Sequence, residues 1–197
     1  MSPRTPTLFY DLGSPYAYLA VERAPAVLGV KPRLEPVLVG GIFALRGHGS
    51  WSQTADRAGR IAEVEARADR YGLAPLRWPP EWPNNTLKAM RAVIWAGLDS
   101  AGERFAKAAF REAFAEGRDL SDIEVLAEIA DSVGLAGGDL GDAIEQRTIK
   151  DALKQATTRA WEQGVVGVPC IGIGEKVFYG DDQLEFAADK LSAANSR

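Results

Sequence analysis

Residues 7–20 read TLFYDLGSPYAYLA, and the architecture of the chain follows from them. The apolar run Leu8-Phe9-Tyr10 has the character of a buried strand, and Asp11-Leu12-Gly13 is a tight turn. Ser14-Pro15 then opens a helix, because serine is a favoured N-cap and proline at the first helical position loses no useful N–H. A serine hydroxyl thus stands at a strand-to-helix elbow, where free N–H groups and the helix dipole favour an anion. Taken alone, a serine at such a position is most simply a helix cap.

Working outward, Pro15 to about Leu28 is a helix with Tyr18, Leu19, Val21 and Ala24 on its apolar side, stopped by Gly29. Lys31–Val39 reads as a second strand, and Pro32 and Pro36 suit an edge position. Gly40-Gly41 marks a break. From about Gly41 to Gly164 the periodicity is helical, with Ser121-Asp122-Ile123-Glu124 as a capping box and Gly134 as a later stop. At Val165 the pattern changes back. Val168–Ile173 alternates as a strand, Gly174-Glu175 turns, and Lys176–Tyr179 completes a hairpin. Gly180-Asp181-Asp182 ends that strand before a last helix from Gln183 to about Ala193. The predicted fold class is α/β: β-α-β over residues 1–40 and β-β-α over 165–197, with an all-helical insertion over 41–164.

Composition removes several function classes. A net charge of −4 without basic clusters speaks against a nucleic-acid partner. No apolar run approaches the roughly 20 residues that span a bilayer, so no membrane partner is expected. The opening MSPRTPTLFYD lacks a signal-peptide hydrophobic segment, and the cytoplasm is the expected compartment. Cys170 is the single cysteine and His48 the single histidine. Internal disulfides and ordinary Cys- or His-based metal centres are therefore excluded.

The β-α-β plus β-β-α order is the thioredoxin arrangement. FYDLGSPYAYLA resembles the start of glutathione-dependent 2-hydroxychromene-2-carboxylate isomerases and kappa-class glutathione transferases, and GVVGVPCIGIGEKVFYGDDQLE resembles their C-terminal segment. VGGIFALRGH and PNNTLKAMRA are similar to the family's loop after the second strand and to a later helix start. The wider relatives, DsbA-like oxidoreductases, carry Cys-x-x-Cys where this chain has Ser14-Pro15-Tyr16-Ala17. Disulfide exchange needs two thiols, so that activity is excluded.

The resemblance implies glutathione as cofactor, with Ser14 donating a hydrogen bond to its thiolate. It implies a cis Val168–Pro169 step whose Val168 backbone pairs with the cysteinyl part, and Asp181 and Asp182 at the γ-glutamyl group, Asp182 matching better. His48 stands where relatives carry Asn toward glutathione. The Lys found downstream in relatives has no clear equivalent, although Arg57 or Arg60 could serve. Trp51, Trp78 and Trp82 are candidates to wall an aromatic pocket, and Cys170 reads as a small buried side chain. The implied activity is isomerisation of an aromatic 2-oxo acid or its cyclic hemiketal by thiolate addition, bond rotation and thiolate loss. The implied partners are a small aromatic substrate and a second copy of the chain. The alternatives are a kappa-type transferase and a thioredoxin-fold binding module without catalysis. A serine hydrolase is disfavoured, since Gly13-Ser14-Pro15 is not Gly-x-Ser-x-Gly.

Overall fold

Period-two alternation in the first strand sets the layers of the fold. In the computed structural model, which describes residues 5–47, 49–80 and 82–195, β1 (Thr7–Tyr10) is central. Leu8 and Tyr10 face one apolar cluster, and Phe9 faces a second one with Val37, Ala160, Val165 and Cys170. The chain continues through α1 (Pro15–Leu28), β2 (Arg33–Pro36), α2 (Val39–Arg46), α3 (Arg57–Arg70), α4 (Leu87–Ala96) and α5 (Ser100–Phe114). It then runs through α6 (Ile123–Ser132), α7 (Leu140–Ala143), α8 (Arg147–Glu162), β3 (Cys170–Ile173), β4 (Lys176–Tyr179) and α9 (Leu184–Asn195). The strand order is β2-β1-β3-β4. β1 runs parallel to β2, pairing Leu8 with Leu34, and antiparallel to β3, pairing Phe9 with Cys170. β3 and β4 form the hairpin, and β2, which ends on Pro36, is an edge strand.

Helix α1 begins and ends as its sequence dictates. Ser14 Oγ accepts from the Ala17 N–H at 3.2 Å, Pro15 occupies the first turn, and Gly29 closes the helix at φ 67°. α1 and α9 pack over the Leu8–Tyr10 face, while α8 covers the other face through Ala160. Among the described residues no helix is long and apolar enough to cross a membrane.

Three local expectations are corrected. Gly40-Gly41 is not a break but lies within α2. The helix starts there because the Val39 N–H donates to Asp11 Oδ2 at 2.8 Å, a cap supplied from 28 residues away. Gly41 also allows close approach to α8, since a Cβ would lie 3.3 Å from Thr157 Cγ2. The cap of α6 is Asp122, which accepts from the Glu124 N–H at 2.9 Å, whereas the Ser121 N–H donates to Asp119. Both predicted strands around the prolines are shorter, with ladder pairing confined to 33–36 and 170–173, because proline has no N–H to give.

Candidate functional site

A cleft of about 1010 Å³ opens at the elbow between β1 and α1. Of the six residues that the resemblance assigns to glutathione, five line it: Ser14, Val168, Pro169, Asp181 and Asp182. His48 lies outside the described residues. The Val168–Pro169 bond is cis, as expected, and so is Trp82–Pro83, which the sequence reading did not anticipate. Val168 precedes Cys170, the first paired residue of β3, so its backbone lies outside the ladder.

Ser14 holds its place through two local bonds. Its N–H donates to Asp11 O at 3.0 Å, and its Oγ accepts from Ala17. Using the oxygen as acceptor leaves the hydroxyl proton to be given to a group in the cleft. Helix α1 directs its N-terminus, and hence its positive dipole end, at the same space.

Beneath the elbow lies a carboxylate whose role the turn signal alone did not reveal. Asp11 is 1% exposed. Oδ1 accepts from the Gly13 N–H at 2.8 Å and from Thr86 Oγ1 at 3.0 Å, and Oδ2 accepts from Val39. Burial pushes its pKa up, and these three donors work against that rise. One side chain thereby ties together the elbow, the start of α2 and the lead-in to α4.

Asp181 and Asp182 have divided roles. Asp181 is buried; its Oδ1 accepts from Arg67 at 2.6 Å and its Oδ2 from the Tyr71 hydroxyl at 3.1 Å. Burial raises the Asp181 pKa, with the Arg67 charge opposing. For Arg67 burial acts against the charge, but Asp181, Glu63 and Asp182 together hold it cationic. The Asp182 side chain is 54% exposed, 3.6 Å from Arg67, and is the carboxylate left open to the cleft. Tyr16, also in the cleft, donates to Glu63 at 3.2 Å, and burial with the Glu63 charge pushes its pKa to about 12.

The aromatic wall is made by Trp51 and Trp82, with ring centroids 5.3 Å apart. Trp78 stands behind Trp82 at 4.7 Å and packs on Phe114. Of the two arginines considered for the missing lysine, Arg57 donates to Trp82 O at 2.6 Å and Arg60 pairs with Asp56 and Glu63. Cys170 is fully buried, its Sγ donating to Gly167 O at 3.1 Å, and burial pushes its pKa to about 12.

The N-terminus of α1 and the cis-proline share this cleft beside a mixed four-stranded sheet, and the family model of the DSBA-like thioredoxin domain matches residues 7–192. The chain belongs to that family. Among DsbA-like proteins it is similar to 2-hydroxychromene-2-carboxylate isomerase of Sphingobium xenophagum, 24% identical over 95% of this chain and 98% of that one. It is also similar to human glutathione S-transferase kappa 1, 23% identical over 96% and 91%. A solved structure of 2-hydroxychromene-2-carboxylate isomerase superposes with a TM-score of 0.85 at 19% identity, covering 98% of both chains. The fold is therefore the DsbA-like thioredoxin fold.

Proposed function

We propose that this protein is a glutathione-dependent isomerase of aromatic 2-oxo acids, of the 2-hydroxychromene-2-carboxylate type. The observation that carries the reading is the Ser14 hydroxyl: its oxygen is occupied by the Ala17 N–H, its proton is free, and it shares one cleft with Val168-Pro169 and Asp182. The donor set suits glutathione. Asp182 offers a carboxylate to the γ-glutamyl ammonium, and Val168 offers backbone outside the ladder to the cysteinyl unit. For the glycine carboxylate we assign Arg46, which lines the cleft and donates to Val166 O at 2.7 Å. Unlike Arg60 and Arg67, it has no carboxylate partner among the described residues.

Glutathione, when bound, supplies a thiolate that adds reversibly to a conjugated carbon and so frees a double bond to rotate. The chain's own contribution is to make that thiolate available. Ser14 donates to sulfur, and the α1 dipole favours negative charge at the same point. Trp51 and Trp82 give a planar substrate an aromatic surface and keep water from one side of it. Ser14 is a hydrogen-bond donor here, not a nucleophile. A kappa-type transferase would use the same groups without the rotation, and the similarity to the human kappa enzyme supports that second reading.

The test is the thiolate absorbance of bound glutathione against pH. Its pKa should fall below the about 8.5 of a free cysteine-like thiol in native protein and return toward it in Ser14→Ala. The variant should also lose about 1 kcal/mol of stability as a missing cap. Identical titration in both proteins would reduce Ser14 to a cap and remove the catalytic assignment.

A further inference from the structure

Ser14 attends to sulfur, but the isomerisation also moves charge onto a second atom. When sulfur joins a conjugated carbon, the π-electron pair shifts onto the carbonyl oxygen; after rotation the pair returns and the carbon–sulfur bond breaks. No proton is gained or lost over the cycle, so a hydrogen bond at that oxygen suffices. A donor there lowers the barrier if it engages the oxygen only while the charge is present.

Tyr16 has these properties. It stands two residues beyond Ser14 in the first turn of α1 and lines the same cleft. Its ring meets Trp51 edge-on, with centroids 5.8 Å apart, so the elbow and the aromatic wall come together at this side chain. Arg67 lies over the ring at 5.4 Å and helps to fix it. The hydroxyl donates to Glu63 Oε2 at 3.2 Å, which is long for an O–H···O bond. Glu63 does not depend on that bond: Oε1 accepts from Arg67 at 2.6 Å and Oε2 from Arg60 at 3.0 Å. The hydroxyl can therefore turn to another oxygen without stranding a buried carboxylate. Glu63, Arg60 and Arg67 line the cleft too, so the exchange takes place where a substrate enters. Burial and the Glu63 charge push the phenol up to about 12, which keeps its proton in place at neutral pH. Resting on the glutathione reading above, we propose that Tyr16 is a further catalytic residue, whose hydroxyl passes from Glu63 to the carbonyl oxygen of the aromatic substrate and holds the charge there.

The probe is 4-nitrophenol, whose ionised form is a planar aromatic with a charged oxygen and a distinct absorbance. Its ionisation on the full-length protein is titrated without glutathione in native protein, Tyr16→Phe, Ser14→Ala and Glu63→Gln. Native protein should favour the ionised form about tenfold, the scale of one hydrogen bond to a charged partner. The bias should vanish in Tyr16→Phe, which keeps the ring, and survive in Ser14→Ala and Glu63→Gln, which keep the hydroxyl. The inference is wrong if native protein shows no bias, if the bias persists in Tyr16→Phe, or if Ser14→Ala loses it instead. Should Tyr16→Phe fail to fold by circular dichroism, the native, Ser14→Ala and Glu63→Gln titrations still decide. In turnover of 2-hydroxychromene-2-carboxylate, Tyr16→Phe should lower kcat about tenfold and leave the thiolate titration of bound glutathione unchanged. A thiolate pKa that moves in Tyr16→Phe would assign the hydroxyl to sulfur and overturn the proposal. Calorimetry of native protein with glutathione tests the earlier reading by itself. Its failure would remove that reading alone, and the phenolate bias would still decide this one.

Discussion

Neighbouring carboxylates at 181 and 182 should behave as different kinds of residue. Asp181→Asn preserves volume and removes the charge that faces Arg67 at 2.6 Å and the Tyr71 hydroxyl at 3.1 Å. Breaking a fully buried ion pair costs about 3–5 kcal/mol. Here the cost is smaller, because the Arg67 side chain is 19% exposed and keeps Glu63 at 2.6 Å. Exchanging a charge-assisted hydrogen bond of about 1.5–3 kcal/mol for a neutral one of about 1, and forcing Tyr71 to reorient, gives about 2 kcal/mol. For a chain of this size that is a fall in melting temperature of about 4–8 °C. Asp182→Asn removes only an exposed contact at 3.6 Å, and should cost less than about 0.5 kcal/mol. Its effect belongs to the ligand, where losing the charge-assisted bond should weaken glutathione by about 1–3 kcal/mol. Urea unfolding followed by tryptophan fluorescence measures the first quantity and calorimetry the second. Equal stability losses in the two variants, or an Asp181→Asn protein within about 0.5 kcal/mol of native, would refute the division of labour.

Cys170 should resist thiol reagents in the native state, since its Sγ is buried and its pKa is pushed to about 12; rapid labelling without denaturant would contradict this placement. Acid should weaken the fold through Glu63 and Glu103. Burial opposes their ionisation, but Arg67 and Arg60 at Glu63, and Lys107 and Lys31 at Glu103, outweigh it and lower both pKa values from 4.5. Stability from these pairs is therefore present above the unfolded value and lost as pH falls below about 4.5, and Glu103→Gln should flatten that slope in urea midpoints taken against pH. Gly102→Ala, which would stabilise an ordinary helix, should cost about 2–3 kcal/mol, because the new Cβ would lie 1.6 Å from Gly97 O; a variant as stable as native in thermal unfolding would show that the contact relaxes freely.

Legibility in the sequence tracked the range of the interactions. The limits of α1 could be read because Ser14, Pro15 and Gly29 act within one or two residues of themselves. The hairpin could be read because its turn and alternation are local, and the cleft residues Ser14, Val168, Pro169, Asp181 and Asp182 came from motifs that cover both ends of the chain. Asp11 read only as a turn residue, since the partners that define it, Val39 and Thr86, lie 28 and 75 positions away. Arg67 was not singled out, since the partner that defines it lies 114 positions away. Its i,i+4 spacing from Glu63 was visible, but the buried Asp181 that engages it was not. Gly40-Gly41 misled because two glycines usually end structure, and nothing local showed that Asp11 would cap the helix they open.

The carboxylate under the elbow also limits how this protein can be rebuilt. A cassette exchange that imported residues 82–96 from a relative would have to bring a hydroxyl at position 86, and one that replaced the start of α2 would have to keep a backbone N–H at position 39, which rules out proline there. Neither requirement shows up in a segment's own helix-forming quality. Chimeras that ignore them should still assemble their helices, yet carry a serine whose supporting turn has lost an anchor, so recombination in this scaffold is best screened by the geometry of the elbow before any assay of folding yield.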